Sequence, residues 1–437
     1  MQRCLVLIDG QHYPPVVERA LSALASDGYQ IVGAVFLGGT EKTDRPPDLS
    51  VPVVVGDPEQ ALADTIDALA PDVVIDLSDE PVLDHRKRFA LISLALARNV
   101  RYQGAGYRFD PPTFPRLTDI PAVAVSGTGK RTGKTAVAIE LARYWRDTGL
   151  KLAIVTMGRG GPALPTVLRA GEFTASIEGL AELSALGMHA ASDYVEDAVF
   201  AGVDTIGTFR CGAGISGETD IHNFAAGVSA AELLGPERMI FEGSGTALPP
   251  AEAQAHVLVM PVDIDPGYLD GYLGPFRVKQ ATAVVIVDPD QQSVGRVGRL
   301  RQVLSDLNPD MKVLSAGYEL EPSLPVEGRR VLAVTTAPEF AQDHLTSDLS
   351  RLGASSVEVI HSLSDRTRLG DDLAAAATTD LILVEVKAAA VDLVLPWASS
   401  RGIEAGLIHN RVAVAGGTGE LARVVDRRLG DNLVDLA

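Results

Sequence analysis

Lysine is scarce in this 437-residue chain, with eight in all, and two of them, Lys130 and Lys134, stand in one glycine-rich stretch. Base is also short relative to acid, 38 Lys and Arg against 57 Asp and Glu. The resulting net charge of −19 repels nucleic acid and anionic membrane surfaces. Neither is expected as a partner, and any phosphate site must be local. Cysteine is nearly absent: Cys4 and Cys211 cannot build a disulfide framework or a cysteine-rich zinc site, so a reducing, cytoplasmic compartment is expected. Long apolar runs are missing too. The run 89–97 is closed by Arg88 and Arg98, far short of the roughly 18–20 residues that span a bilayer. The first residues reach Asp9 without a leader's cleavage pattern, so no leader is expected.

What is present is a repeated alternation of short β-branched runs and helical stretches, in a chain too long for one core of roughly 250–300 residues. Runs at 4–9, 31–37, 51–55 and 72–78 alternate with helical stretches at 16–26, 58–69 and 84–98. A proline cluster at 110–115 interrupts them. Apolar runs at 122–126, 152–157, 238–243, 255–262 and 282–288 follow, and a second proline-bearing passage at 321–328 leads into runs at 331–336, 357–363 and 381–386. The pattern predicts an α/β protein with parallel sheets. It divides into an N-terminal Rossmann-like α/β domain at 1–118, a nucleotide-binding and catalytic domain at 119–320, and a C-terminal α/β region at 321–437 that could pack on the central sheet.

The stretch Ser126-Gly127-Thr128-Gly129-Lys130-Arg131-Thr132-Gly133-Lys134-Thr135 follows an apolar run and opens an Ala-rich helix expected at 134–147, with Ala136 in its first turn as a further nucleotide-binding candidate. That is the setting of a phosphate-binding loop. Glycines let backbone N–H groups face an anion, the helix N-terminus adds partial positive charge, Lys134 reaches the β- and γ-phosphates, and Thr135 suits Mg²⁺. Gly127 lies six rather than five residues before Gly133, so the loop carries one extra residue. Dethiobiotin synthetases have a similarly extended loop. Lys130 and Arg131 are cations beyond the one such a loop needs, and they suit a charged transition state or a second, heavily phosphorylated substrate. Glu242, closing the run 238–242 before Gly243-Ser244-Gly245, is the candidate metal carboxylate, with Asp288 a weaker one. No Asn-Lys-x-Asp is present, which favours ATP over GTP.

Taken together, LIDGQHYPPVV (7–17), GTGKRTGKT (127–135), MGRGGP (157–162), TFRCGAGISGET (208–219), FEGSGTALPP (241–250) and DIDPGYLDGYLGPFR (263–277) resemble cyclic 2,3-diphosphoglycerate synthetase. The resemblance implies a P-loop NTPase core, ATP and Mg²⁺ as cofactors, and a cytoplasmic homodimer. It implies closure of 2,3-diphosphoglycerate into a ring through an intramolecular phosphoanhydride, with release of ADP and phosphate. A kinase making 2,3-diphosphoglycerate from 2-phosphoglycerate uses the same parts, and a P-loop nucleotide switch is a third reading. A substrate with two phosphates and a carboxylate needs planar cationic forks, which makes Arg159, Arg210 and Arg277 candidates for holding it. His12, after the first apolar run, stands where open parallel sheets place their crevice and is a further substrate candidate. Cys211 is expected to be a small buried neighbour, since phosphoryl transfer needs no thiol.

Overall fold

The computed structural model describes residues 1–39, 41–42, 45–188, 192–289, 293–337, 339 and 342–430. They fall into two compact units, the first made of Met1–Phe114, Asp263–Ala281 and Gly298–Met311, the second of Pro115–Val262, Thr282–Val297 and Lys312–Ala437.

The first unit is built on β1 (Gln2–Ile8), β2 (Tyr29–Phe36), β3 (Val53–Val55), β4 (Val73–Asp76), β5 (Arg101–Gly104) and β6 (Tyr107–Phe109), in the order β3-β2-β1-β4-β5-β6. Only the β5–β6 pair is antiparallel. Its first three helices are α1 (Pro14–Ser26), α2 (Pro58–Leu69) and α3 (His85–Ala97). Start signals are local. Asp57 accepts from the Gln60 amide with Pro58 in the first turn, and Asp84 accepts from the Lys87 amide. The strand order reverses between β1 and β4, and a crevice opens at the carboxyl ends of strands at such a point. Asp9 and Asp76 lie at those two ends.

The second unit holds β7 (Ala122–Gly127), β8 (Leu152–Gly158), β9 (Thr166–Leu168), β10 (Asp204–Cys211), β11 (Ile221–His222), β12 (Arg238–Glu242) and β13 (Ala255–Pro261). It continues with β14 (Ala283–Val287), β15 (Lys312–Pro322), β16 (Arg330–Val334), β17 (Ser356–Ile360), β18 (Leu381–Val384) and β19 (Glu404–Val414). The sheet order is β11-β10-β8-β12-β7-β13-β14-β15-β19-β18-β16-β17, with β9 beside β10. β7, β12 and β14 are buried throughout, as expected of parallel strands covered on both faces. The C-terminal third continues this same sheet, because β15 and β19 pair antiparallel from Ala316–Val414 to Pro322–Ile408.

Helices α4 (Lys134–Asp147), α5 (Ile177–Ala185), α6 (Asp193–Ala201) and α7 (Phe224–Glu232) belong to the second unit. Two short ones, α8 (Pro266–Asp270) and α9 (Gly274–Gln280), do not, although they fall inside the expected 119–320 domain. Helix α9 packs on α3 of the first unit with Phe276 buried, and Tyr272 sets its ring edge-on to Phe89 at 5.5 Å. Apolar periodicity marks which helix face is covered but not by what. The remaining helices are α10 (Val294–Leu307), α11 (Gln342–Arg351), α12 (Arg366–Ala375), α13 (Leu395–Ser399) and α14 (Thr418–Leu429). Asp426 of α14 accepts from the Trp145 indole and pairs with Arg238, tying the last helix to the core around α4. Among the described residues no helix is long and apolar enough to cross a membrane.

Candidate active site

A cleft of about 730 Å³ opens where β7 turns into α4. Lys130, Arg131, Thr132, Gly133, Lys134, Thr135 and Ala136 line it; Gly127, Thr128 and Gly129 are not among the lining residues. The Thr128 amide donates to the Val259 carbonyl, so that donor is committed to β13. Gly133 sits at φ +90, where a side chain would meet the Tyr318 hydroxyl, so the turn into the helix requires glycine. The first turn of α4 has no side-chain cap and no acid, which leaves its N–H groups to an outside anion. Thr132 Oγ1 is buried without a partner among the described residues. The side chains of Lys130 and Arg131 are exposed and make no ion pair with a described residue.

Lys134 is only 8% exposed and is held by acids. Its Nζ lies 2.8 Å from Glu242 Oε1 and 3.6 Å from Asp193 Oδ2. Burial alone would depress its pKa, but the charges of Glu242 and Asp193 outweigh that and hold it above its ordinary value. Thr135 Oγ1 donates to the same Glu242 oxygen at 2.6 Å. Glu242 reaches this point because β12 lies between β7 and β8 in register, with Glu242 opposite Val125 and Thr156. Its burial favours the neutral form, yet Lys134 and the hydrogen bonds of Asp197, Lys134 and Thr135 keep it below the usual carboxylate range. Asp197, buried beside the Glu242 charge, is pushed well above that range. Thr156 donates to its Oδ2. The second oxygen of Glu242 finds no other donor among the described residues. An all-oxygen set of Thr135 and Glu242, with one orphaned carboxylate oxygen, fits a hard dication such as Mg²⁺.

Two arginines converge beside this loop. Arg210, 7% exposed, gives Nη1 to the Gly212 carbonyl and Nη2 to the Ser244 carbonyl, each at 2.8 Å, while its Nε has no partner among the described residues. Arg159 is exposed on the cleft and pairs with no acid among the described residues. A Cβ on Gly245, at φ +61, would stand 2.5 Å from Arg159 Nη2 and 3.6 Å from Arg210 Nη2. Only a glycine lets both guanidinium groups close over this backbone. Burial, then the charge of Arg159, lowers the Arg210 pKa, as expected of cations gathered without a counter-anion. Cys211, expected to be buried, is exposed: it ends β10, beyond the covered part of the strand.

The other two substrate candidates belong to the first unit. His12 Nδ1 lies 2.8 Å from Asp9 Oδ1, and its Nε2 lies 3.4 Å from Asp79 Oδ2. Arg277 is 3% exposed on α9, where burial lowers its pKa and Tyr268 partly offsets this. Asp288 accepts from the Ser293 amide and is not among the cleft's lining residues.

Several cleft residues escaped sequence reading. Asp193 and Glu196 line the cleft and share one face of α6 with the buried Asp197, an i, i+3, i+4 spacing of acids at a helix start that was a usable signal. Thr336, Ser364, Glu385 and Lys387 enter from the loops after the C-terminal strands, and Tyr318 from β15. These gave no local signal, since only the pairing of β15 with β19 brings them to the phosphate loop.

Residues 122–316 match the P-loop domain of cyclic 2,3-diphosphoglycerate synthetase, residues 3–110 its N-terminal domain and residues 322–411 its C-terminal domain. Among curated proteins named cyclic 2,3-diphosphoglycerate synthetase, that of Rubrobacter xylanophilus is 40% identical over 409 residues, 92% of each chain. That of Methanothermus fervidus is 36% identical, covering 93% of this chain and 91% of its own. That of Thermococcus onnurineus is 38% identical, covering 93% and 94%.

Proposed function

This chain belongs to the cyclic 2,3-diphosphoglycerate synthetase family, and we propose that it carries out the reaction of that name, using ATP to close 2,3-diphosphoglycerate into a cyclic phosphoanhydride. The observation that carries the reading is a second cationic set beside the first: Lys130, Arg131 and Lys134 of the phosphate loop line one cleft with Arg159, and Arg210, which does not line it, meets Arg159 at Gly245. A hydrolase or a nucleotide switch needs only the first set.

In this reading Lys134, Thr132 and the open first turn of α4 take the β- and γ-phosphates of ATP. Lys134 then exchanges part of its hold on Glu242 for phosphate oxygens. Thr135 and Glu242 would hold Mg²⁺, which would supply positive charge to offset the charge of the transferring phosphoryl group. Arg159 and Arg210 clasp the diphosphoglycerate, while Lys130 and Arg131 lie between the two ligands. The γ-phosphoryl group passes to one substrate phosphate with loss of ADP. The second substrate phosphate then attacks the phosphorus of the first substrate phosphate and expels the transferred group as inorganic phosphate. Two unit charges 4 Å apart repel by about 4 kcal/mol at an effective dielectric of 20, so neutralising the acceptor is a need distinct from binding ATP. His12 and Arg277 are carried forward as further substrate contacts, checked by loss of diphosphoglycerate affinity in His12→Ala and Arg277→Ala. The unbridged cysteines suit a cytoplasmic enzyme, and the assembly proposed is a homodimer, to be checked by sedimentation.

Phosphorus NMR of the purified chain with ATP, Mg²⁺ and 2,3-diphosphoglycerate tests the reading. The expected result is a cyclic phosphoanhydride resonance with ADP and inorganic phosphate formed in equal amounts. Retention of the transferred phosphate on the product, or ATP hydrolysis without a new organic phosphate, would overturn it.

A further inference from the structure

Among the described residues three carboxyls line the cleft: Asp193, Glu196 and Glu385. Two are engaged. Asp193 faces Lys134 at 3.6 Å, and Glu385 accepts from the Thr335 hydroxyl and from the amide and hydroxyl of Thr336. Glu196 alone of the three makes no hydrogen bond or ion pair with a described residue. It stands on α6 across from the phosphate loop, with Tyr318 of β15, Glu242 at the end of β12, and Glu385 and Lys387 after β18 as the other ionisable groups around it.

The reaction proposed above leaves a proton to be carried. Near neutrality a phosphomonoester holds one proton part of the time, and only its dianion is a good nucleophile toward the γ-phosphorus. When the ring closes, the departing phosphate would leave as PO₄³⁻ unless a proton reaches it. We infer that Glu196 carries this proton, taking it from the acceptor phosphate and returning it to the phosphate that leaves. In the first half Glu196 carboxylate and ROPO₃H⁻ become the carboxylic acid and ROPO₃²⁻, whose oxygen forms the new P–O bond as the bond to ADP breaks. In the second half the other substrate phosphate forms the anhydride bond, the P–O bond to the terminal phosphoryl group breaks, and that group departs as HPO₄²⁻ with the Glu196 proton. The carboxylate is restored and no other acid or base is consumed.

The surroundings suit a group that both accepts and donates. Burial pushes the Glu196 pKa up to about 7, Lys387 pulls against it, and the charges of Asp193, Glu242 and Glu385 add to the rise. A carrier works best when its pKa lies near the working pH and near that of the phosphates it serves.

The assignment rests on the proposed cyclising reaction, so the test first establishes product formation by the wild-type chain; its absence would overturn that reaction itself. With product formed, kcat is followed across pH in the wild type, Glu196→Gln and Lys387→Met. The wild-type rate should rise through a midpoint near 7. Glu196→Gln should lose about a hundredfold in kcat at neutral pH with ATP affinity unchanged. Lys387→Met should move the midpoint to higher pH, because the cation that favours the carboxylate is gone; a structural lysine would lower the rate without moving the midpoint. A Glu196→Gln enzyme within about threefold of wild type, or a midpoint that stays in place in Lys387→Met, would overturn the assignment.

Discussion

Both sheets bring carboxylates to the carboxyl ends of parallel strands, and the two units treat them in opposite ways. At the end of β4, Asp76 accepts from the Ser78 amide and hydroxyl, Arg88, Tyr102 and Tyr107. Burial would raise its pKa, but those donors hold it below the usual range; burial, aided by the Asp76 charge, pushes both tyrosines up. Asp9, at the end of β1, is bonded to the Gln11 and Asp79 amides and to His12. This edge closes on itself. At the phosphate loop, among the described residues, Lys130, Arg131 and Arg159 stand exposed without ion pairs, the Glu196 carboxyl is unbonded, and Thr132 Oγ1 and Arg210 Nε are buried without partners. Unmet polar capacity costs stability unless a ligand supplies the missing half, and the open edge carries that unmet capacity.

The largest expected effect lies at the closed edge. Asp76→Ala leaves Arg88 and two tyrosine hydroxyls without their acceptor and should cost roughly 3 kcal/mol, read as a lowered denaturation midpoint. Turnover per folded molecule should hold; a specific loss of turnover would erase the contrast between the edges.

Lys134→Ala probes the open edge. It should cut kcat by about a hundredfold or more, some 2.7 kcal/mol of transition-state stabilisation. It should also lower stability, because Glu242 and Asp193 lose their cation. A stability loss with turnover retained would make this lysine a packing device like Arg88.

A smaller effect is expected at Gly245. An alanine there must hold φ +61 and push Arg159 aside. Diphosphoglycerate affinity should fall about tenfold, near 1.4 kcal/mol, with ATP affinity unchanged in calorimetric titration of each ligand. Equal losses for both ligands would merge the two cationic sets into one.

The smallest effect is a pH dependence of the ligand-free protein. The folded pKa of Glu196 lies above its unfolded value, so the native state keeps its proton up to about 7. That favourable term is whole below the unfolded pKa and is lost as pH rises through the folded one. Glu196→Gln should therefore match wild type in acid and gain thermal stability above neutrality, as melting curves on both sides of the window would reveal. His409 gives the opposite slope at lower pH: burial and Arg143 bring its pKa down to about 4, so stability falls as pH drops from the usual histidine range toward that value.

Local chemistry in the chain was enough to determine the phosphate loop, the helix it opens, the Glu242 strand and the α/β class. Each depends on neighbours within a few residues: Gly133 for a left-handed turn, Lys134 and Thr135 at a helix start, an apolar run ending in an acid. The convergence of Arg159 with Arg210 over Gly245 was only half legible. Glycines flanking Arg159 marked a close approach but not to what. The assignment of α9 and Arg277 to the first unit, the entry of Thr336, Ser364 and Lys387 into the cleft, and the isolation of Glu196 were decided by tertiary structure alone. All depend on which strand lies beside which. A β15–β19 pairing between residues almost a hundred positions apart is a balance of buried area and hydrogen bonding over the whole sheet, and it leaves no trace in the residues on either side of Lys387.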